Sequence, residues 1–507
     1  MTVTRAGAGG PNVASVPLAA PVLLAFEGSV APPPIRDAIR DGDAAGVALY
    51  HGLNVSSVGQ LRDLGRSLAA AAAEGGQPPP IVAIDQEGGQ LMAVGDPATP
   101  FAGNLALAAA GSEDLARRVG VAIGRELAAV GCSVDWAPDL DLASLPESPA
   151  VGARAFGDDP VVAGDLGAAF IDGLQYIGVA ATAKHFPGSG ATAVDPHDTL
   201  PVVDVGAATL ETRELRPFRA AVAAGARLVM VSHAAFPGLE PGGRADVPAM
   251  RSRSVLVDVL RRRLGFEGVV VSDALDMGAV DQAAVAGAAL AALDAGVDLL
   301  LAGPAQASRR SDMDAIRAGL TARPDRLADA ASRVARLREW TRAREVPDLD
   351  VVGSAEHLAL AAELASRAVT LVRDDPPRLP LRPGAADRVL VIMPRPSNLT
   401  PADTSETLVI RLAQAVRRRH PFTNGLEIPI DPGPTDIDGV LAAADGYRLV
   451  IVGTIDAFRF AGQQALIRAL SRTGHAPVLV PMRMPLDAWA CPEAGTVLCT
   501  YSIHDPS

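Results

Sequence analysis

The 507-residue chain reads as an α/β protein, a (β/α)8 TIM-type barrel followed by a smaller α/β sandwich domain. Three observations predict this. Between residues 22 and 302 short apolar runs alternate with longer Ala-, Arg- and Glu-rich stretches of helical character, the rhythm of parallel strands joined by crossover helices. Eight such runs fit within one large domain, which favours a closed barrel over an open doubly wound sheet, the alternative arrangement. A further set of strand-like runs begins near residue 369.

The N-terminal stretch to Gly28 has one arginine and an apolar run broken by Pro17 and Pro21, so it reads as a poor signal peptide and is not expected to be a membrane anchor. Residues 1–18 are expected to form a disordered tail, and the GAGG at 7–10 follows no strand, so it lacks the setting of a dinucleotide-binding turn. The barrel is assigned to residues 19–345. Its expected strands are VLLAF (22–26), GVALY (46–50), IVAID (81–85), SVDWAPDL (133–140), GVAATAK (178–184), RLVMVS (227–232), GVVVS (268–272) and VDLLLA (297–302). Helices follow them. The stretch 209–225 has Thr209 and Thr212 as candidate N-caps and Gly225 as a stop, and 251–265 ends in RRRLG, with cations suited to a helix C-terminus. A last barrel helix spans 325–344, and residues 346–368 form a linker and connecting helix.

Residues 369–507 make the second domain, with strands VTLV (369–372), VLVIMP (389–394), LVIVGT (449–454), PVLVPM (477–482) and TVLCTY (496–501). Helices are expected near 405–419 and 460–473, and the Pro-rich DPPRLPLRP and DPGPTD read as loops. This half shows no catalytic cluster and reads as structural or accessory, and as shortened at its end.

Asp85, Asp139, Lys184 with His185, His233 and Asp273 each fall at or just past the C-terminal end of a run, the rim that holds the active site in barrels. Single polar residues there are also ordinary turn and cap material; their number and type carry the weight. The richest stretch is Lys184–Pro201, KHFPGSGATAVDPHDTLP, which gathers Lys184, His185, Asp195, His197 and Asp198 in one loop. Of 45 Lys and Arg residues Lys184 is the only lysine, and a compact ammonium is not replaceable by a planar guanidinium in a tight space.

A net charge of −13 argues against nucleic acid and anionic membrane as partners and leaves a small neutral molecule. Three scattered cysteines make neither a disulfide framework nor a zinc site, which fits a cytoplasmic protein. No cofactor is expected. The oligomeric state is left open. Aromatic residues are 4% of the chain, so long polysaccharides are poor candidates; Trp136 and Phe156 are the nearest residues for stacking on a sugar ring.

The loop at 184–201, together with AIDQEGG (83–89), VDWAPDLDL (134–142), GARAFGDDP (152–160) and RLGFEGVVVSDALDM (263–277), resembles glycoside hydrolase family 3, most closely its bacterial β-N-acetylhexosaminidase branch in two-domain form. SRAVTLVRDDPPRLPL (366–381) is similar to the entry into the second domain of such members. The resemblance implies a retaining hydrolase that removes a terminal β-linked N-acetylhexosamine, as in cell-wall sugar turnover. It implies Asp273 as nucleophile, His197 as acid/base with Asp195 as its partner, and Asp85, Arg154, Lys184 and His185 as ligands of the sugar's hydroxyls. It implies no metal. The chain departs from the branch's pattern where it has PGSGAT (187–192), EGGQ (87–90), SDAL (272–275), Ala143 and Ser148. These changes, Gln90, Ser189 and Ala191 above all, point to a subsite reshaped toward a different or less charged sugar partner.

The chemistry stands beside the resemblance. Displacement at an anomeric carbon needs a carboxylate to trap the oxocarbenium-like centre, and a group that donates a proton to the leaving oxygen and then takes one from water. A histidine with an unperturbed pKa of about 6.5 serves both duties, and a nearby aspartate orients it. Competing readings are a metal site on His185, Asp195 and His197, a non-catalytic sugar binder, and a β-glucosidase or glycoside phosphorylase of the same family.

Overall fold

The computed structural model describes residues 20–504 apart from 146, 149, 281, 283, 306–309 and 344, so the expected tail at 1–18 lies outside the described residues. Eight parallel strands form the first sheet: β1 (Val22–Leu24), β2 (Gly46–Ala48), β3 (Ile81–Ile84), β4 (Val134–Asp135), β5 (Ala180–Phe186), β6 (Leu228–Val231), β7 (Val269–Ser272) and β8 (Leu300–Leu301). They run in the order β8-β1-β2-β3-β4-β5-β6-β7, and a parallel bridge from Val271 to Leu299 joins β7 to β8 and closes the barrel. All eight correspond to the runs read from the sequence. Their side chains are buried on both faces, inside the barrel and under the helices, which is why the runs are continuously apolar rather than alternating.

The helical layer packs closely where glycine permits it. Glu113–Ala129 and Pro160–Tyr176 are in contact, and a Cβ on Gly173 would lie 2.1 Å from the carbonyl oxygen of Arg117. Two expected helices differ in detail. The one read as 209–225 starts at Ala207, passes through a π-helical turn at Leu210–Glu214 and continues as Leu215–Ala223. Thr209 is therefore inside it, and Thr212 Oγ1 donates to the Ala208 carbonyl (2.9 Å) instead of capping; Gly225, at φ +76°, ends the turn as expected. The segment Ser254–Arg263 is π-helical throughout.

The connecting helix Ala355–Ala368 is capped by Ser354 and tied to the barrel through Glu126, which is buried. Glu126 accepts from Thr99 N (3.0 Å), Gly353 N (3.1 Å) and His357 Nδ1 (2.8 Å). The second domain is a six-stranded sheet: β9 (Thr370–Asp374), β10 (Val389–Pro394), β11 (Thr423–Ile428), β12 (Leu449–Thr454), β13 (Val478–Pro481) and β14 (Thr496–Cys499), ordered β9-β14-β13-β12-β10-β11 with only β9 antiparallel. Apolar clusters cover both faces, the sandwich arrangement expected. Strand β11 and a helix at Pro434–Ala444 are additions to the sequence reading. The helix opens inside DPGPTD, with Pro434 in its first turn and Asp436 Oδ2 accepting from Gly433 N at 2.9 Å. The helix expected at 405–419 is a single turn, Ser405–Thr407, and then Leu412–Arg419.

At the base of the barrel, just before β8, the fully buried Asp298 faces Arg261, Arg326 (2.8 Å) and Arg333 (3.4 Å) and accepts from Val270 N at 3.0 Å. Asp298→Ala leaves three guanidiniums without their shared anion and is expected to destabilise the protein by about 3 kcal/mol. Urea denaturation measures this; a loss below about 1 kcal/mol, the range of exposed pairs, would show that the cluster is screened by solvent.

Candidate active site

A cavity of about 700 Å³ opens at the C-terminal mouth of the barrel. Asp85, Arg154, Lys184, His185, His197 and Asp273 line it, and Asp195 stands behind His197. The structure thus brings together residues singled out from four separate stretches of the barrel sequence.

Strand β3 delivers Asp85, and the hairpin that follows, Gln86–Gly88 against Leu91–Met92, turns Glu87 back toward it. From the neighbouring end of β5, Lys184 Nζ reaches Asp85 Oδ1 and Glu87 Oε1, both at 2.7 Å. Glu87 also takes a forked pair from Arg154, at 3.0 Å from Nε and 2.7 Å from Nη2, while Nη2 lies 3.4 Å from Asp139 Oδ2. All these groups except Asp85 are almost wholly buried. Burial alone would raise the Glu87 pKa, but the two cations outweigh it and lower it to about 2. Burial would likewise depress Lys184, and the Asp85 and Glu87 carboxylates instead hold its pKa well above the ordinary value, so the ammonium stays charged. Asp139, more deeply desolvated, is pushed up to about 7, Arg154 offsetting only part of the burial.

Asp139 and Asp141 lie two residues apart in the extended segment after β4 and so face the same side. Asp141 Oδ2 accepts from His185 Nδ1 (2.8 Å) and Oδ1 from Ser189 N (2.6 Å), tying the loop to the barrel. Burial would lower the His185 pKa; the hydrogen bond and charge of Asp141 raise it. Farther along the loop, Asp195 Oδ1 accepts from both the backbone N (2.9 Å) and ring Nδ1 (2.7 Å) of His197, so Nδ1 carries the proton and Nε2 is the nitrogen left to a substrate. These bonds outweigh burial and hold the Asp195 carboxyl below its ordinary pKa. The loop is fastened to the segment after β7: Gly278 N donates to His197 O and Ala279 N to Pro196 O, each at 3.0 Å. A Cβ at Gly278 would lie 2.5 Å from the carbonyl oxygens of His197 and Asp198, so this approach requires glycine.

Asp273 follows β7. Burial would raise its pKa, but His185, His233, the Ala274 amide and His197 together lower it, so it is a carboxylate at neutral pH. Burial lowers the His233 pKa, and its Nε2 donates to Ala274 O (2.8 Å) and steadies the turn beside Asp273.

His185, Asp195 and His197, the metal triad weighed from sequence, do not converge: each imidazole gives its Nδ1 to a different aspartate. Among the described residues the one group with metal-ligand spacing is Asp139, Asp141 and His185, and it is already compensated by the His185–Asp141 bond and by Arg154. Trp136 lines the cavity, whereas Phe156 is packed in the core and has no part in it. Gln90 is also displaced from its expected place. It faces a small void at the seam with Arg459 and Arg483 of the second domain, so its change reshapes the domain interface rather than the cavity wall. Ser189 does line the cavity, its Oγ 2.7 Å from Ser232 Oγ.

Sequence reasoning missed Glu87 and Asp141, although the carboxylates of QEGG and DLD stood inside the stretches it singled out. It also missed the second domain's contribution. Asn398, Pro401–Thr404, Glu406 and Thr407 form part of the cavity wall, and Thr404 donates from N (2.8 Å) and Oγ1 (3.0 Å) to the Gln90 carbonyl. His504 Nε2 donates to Gly89 O (2.5 Å) beside it. The domain is thus more than an accessory.

The profile of the Glycosyl hydrolase family 3 N terminal domain matches residues 33–337, the barrel and its mouth. The chain belongs to glycoside hydrolase family 3. Among curated relatives of this family-3 chain, the Beta-hexosaminidase A of Pseudoalteromonas piscicida is 32% identical over 390 residues, 72% of this chain and 64% of the relative. The Beta-N-acetylglucosaminidase/beta-glucosidase of Cellulomonas fimi is 33% identical over 363 residues, 68% of this chain and 64% of the relative. The chain therefore spans just under two thirds of the length of both. A solved family 3 beta-N-acetylglucosaminidase from Paenibacillus sp. str. FPU-7 superposes with a TM-score of 0.88 at 29% identity, covering 95% of this chain and 92% of that one. No helix among the described residues is long and apolar enough to cross a membrane.

Lys184→Arg keeps the charge but must fit a planar fork where one Nζ meets two carboxylates in a closed space. A displacement of about 1 Å at such a site costs about 10²-fold in kcat/KM. Steady-state kinetics on an aryl glycoside measure it, and wild-type values would mean that arginine serves equally well.

Proposed function

We propose that this protein is a retaining glycosidase that removes a terminal β-linked N-acetylhexosamine, with N-acetylglucosamine as the sugar. The observation that carries the reading is the meeting, in one cavity, of an ionised Asp273 and a His197 oriented by Asp195. The relatives named beta-hexosaminidase and beta-N-acetylglucosaminidase support the choice of sugar.

In this reading Asp273 attacks the anomeric carbon and forms a glycosyl ester while His197 Nε2–H gives its proton to the leaving oxygen. The same nitrogen, now a base, takes a proton from water, which attacks the ester and releases the sugar with its configuration retained. Asp195 stabilises the imidazolium as it forms. Asp85 and the Lys184 ammonium fix the sugar hydroxyls, with Arg154 and His185 completing the wall. A histidine in place of a second carboxylate adds no negative charge opposite Asp273, which keeps that carboxylate's pKa low. The name of the Cellulomonas fimi relative favours a second specificity, β-glucoside, on the same machinery.

Assays of wild type, Asp273→Ala and His197→Ala on p-nitrophenyl β-N-acetylglucosaminide and β-glucoside test the reading. Release from the acetamido substrate should fall by about 10⁴-fold or more in Asp273→Ala. His197→Ala should lose most activity on poor leaving groups and keep more of it on nitrophenyl, which needs little protonation. Normal turnover by Asp273→Ala would remove the nucleophile, and glucoside cleavage alone would move the specificity and leave the mechanism.

A further inference from the structure

The cavity wall carries an unbalanced charge. Among the described residues its Lys and Arg are Lys184 and Arg154, and both are answered, by Asp85, Glu87 and Asp139. Six carboxylates share the same wall: Asp85, Asp141, Asp273, Asp276, Asp403 and Glu406. Asp85 is paired with Lys184, Asp141 with His185, and Asp403 with Arg483 at 3.3 Å. No described ion pair includes Asp273, Asp276 or Glu406. Asp273 has its place in the reaction; Asp276 and Glu406 are left over. Even with His51, His185 and His197 all protonated, the six carboxylates on the described wall outnumber the five cations.

Their positions are informative. Asp276 lies in the segment whose Gly278 amide holds the His197 carbonyl, and its Oδ2 accepts from Ala305 N at 2.7 Å. It lines the cavity between that segment and the turn at Ala305. Glu406 comes from the second domain, on a loop set by Arg483 Nη2 donating to Ser405 Oγ (2.5 Å), by Glu406 N donating to Asn398 Oδ1 (2.9 Å) and by Thr404 donating to the Gln90 carbonyl. One carboxylate from each domain, in no described ion pair, thus lines the cavity.

We propose that this part of the cavity is a leaving-group subsite selective for neutral or cationic aglycones, such as another amino sugar, and against aglycones that carry a carboxylate. The inference rests on the glycosidase reading above. A carboxylate on the aglycone would enter a field already negative, with no unpaired arginine or lysine among the described residues of the wall to receive it; an ammonium would find two acceptors.

The test compares kcat/KM of the full chain on four β-1,4 disaccharides with N-acetylglucosamine at the non-reducing end. The second sugar is glucosamine, N-acetylglucosamine, N-acetylmuramic acid, or the methyl ester of the last, and p-nitrophenyl β-N-acetylglucosaminide is run in parallel. At low ionic strength the free acid should be cleaved about tenfold or more slowly than its own methyl ester, and glucosamine should be the preferred aglycone. The acid-to-ester gap should narrow to about threefold or less in molar salt, and also in the Asp276→Asn/Glu406→Gln double variant at low salt. Acid and ester cleaved at equal rates by the wild type, or the acid preferred, would overturn the subsite while nitrophenyl release leaves the glycosidase reading intact. Failure to cleave the nitrophenyl glycoside and all four disaccharides would overturn both.

Discussion

Two buried cations sharing one carboxylate set the geometry of this protein's mouth. Lys184 and Arg154 both contact Glu87, and neither can be taken out of water unless its charge is met at hydrogen-bond distance. The requirement joins three barrel strands: Asp85 and Glu87 follow β3, Asp139 follows β4 and Lys184 lies in the C-terminal half of β5. Removing any one partner would leave an uncompensated charge in a closed space, so the residues hold one another in place. The side chains that contact each other are therefore drawn from segments up to about a hundred residues apart, and the rim is rigid where a ligand's hydroxyls would meet it.

The rest of the cavity follows a different rule. Asp273 and the Asp195–His197 pair are joined by no ion pair; surrounding histidines and an amide lower the Asp273 pKa, while His197 is held in orientation by its aspartate. This separation suits the proposed chemistry, in which the carboxylate must stay ionised while the imidazole changes state. The second domain completes the enclosure through the loop at 398–407, whose bonds to the hairpin after β3 link it to the same residues that surround Glu87.

The barrel was legible because each strand is buried on both faces and so stands out as an apolar run. Strand β11, TNGLEI, was not: it lies at a sheet edge with most of its middle residues exposed, and Asn and Gly lower its strand signal. The π-helical stretches share the periodic apolar face of α-helices and left no distinct mark. In the site, Asp85, Lys184, His185, Asp195, His197 and Asp273 stood out as titratable groups at strand ends or in one glycine-punctuated loop, while Arg154 and the separate roles of all of them rested on the resemblance. Glu87 and Asp141 were hidden because a carboxylate among other carboxylates shows no partner until the chain is folded. The loop at 398–407 could not be read at all, since Thr404 and Gln90 are 314 residues apart and no local pattern announces such a contact.

The proposed function turns on a covalent bond to one atom pair, the carboxylate of Asp273. Incubating the protein with a 5-fluoro glycosyl fluoride of N-acetylglucosamine, which slows breakdown of the glycosyl ester more than its formation, followed by mass analysis of the digested protein, looks for that bond directly. The account predicts one added sugar on the peptide that contains Asp273 and loss of activity in step with its appearance. Steady turnover of ordinary substrate with no adduct, or an adduct on any other residue, would contradict it.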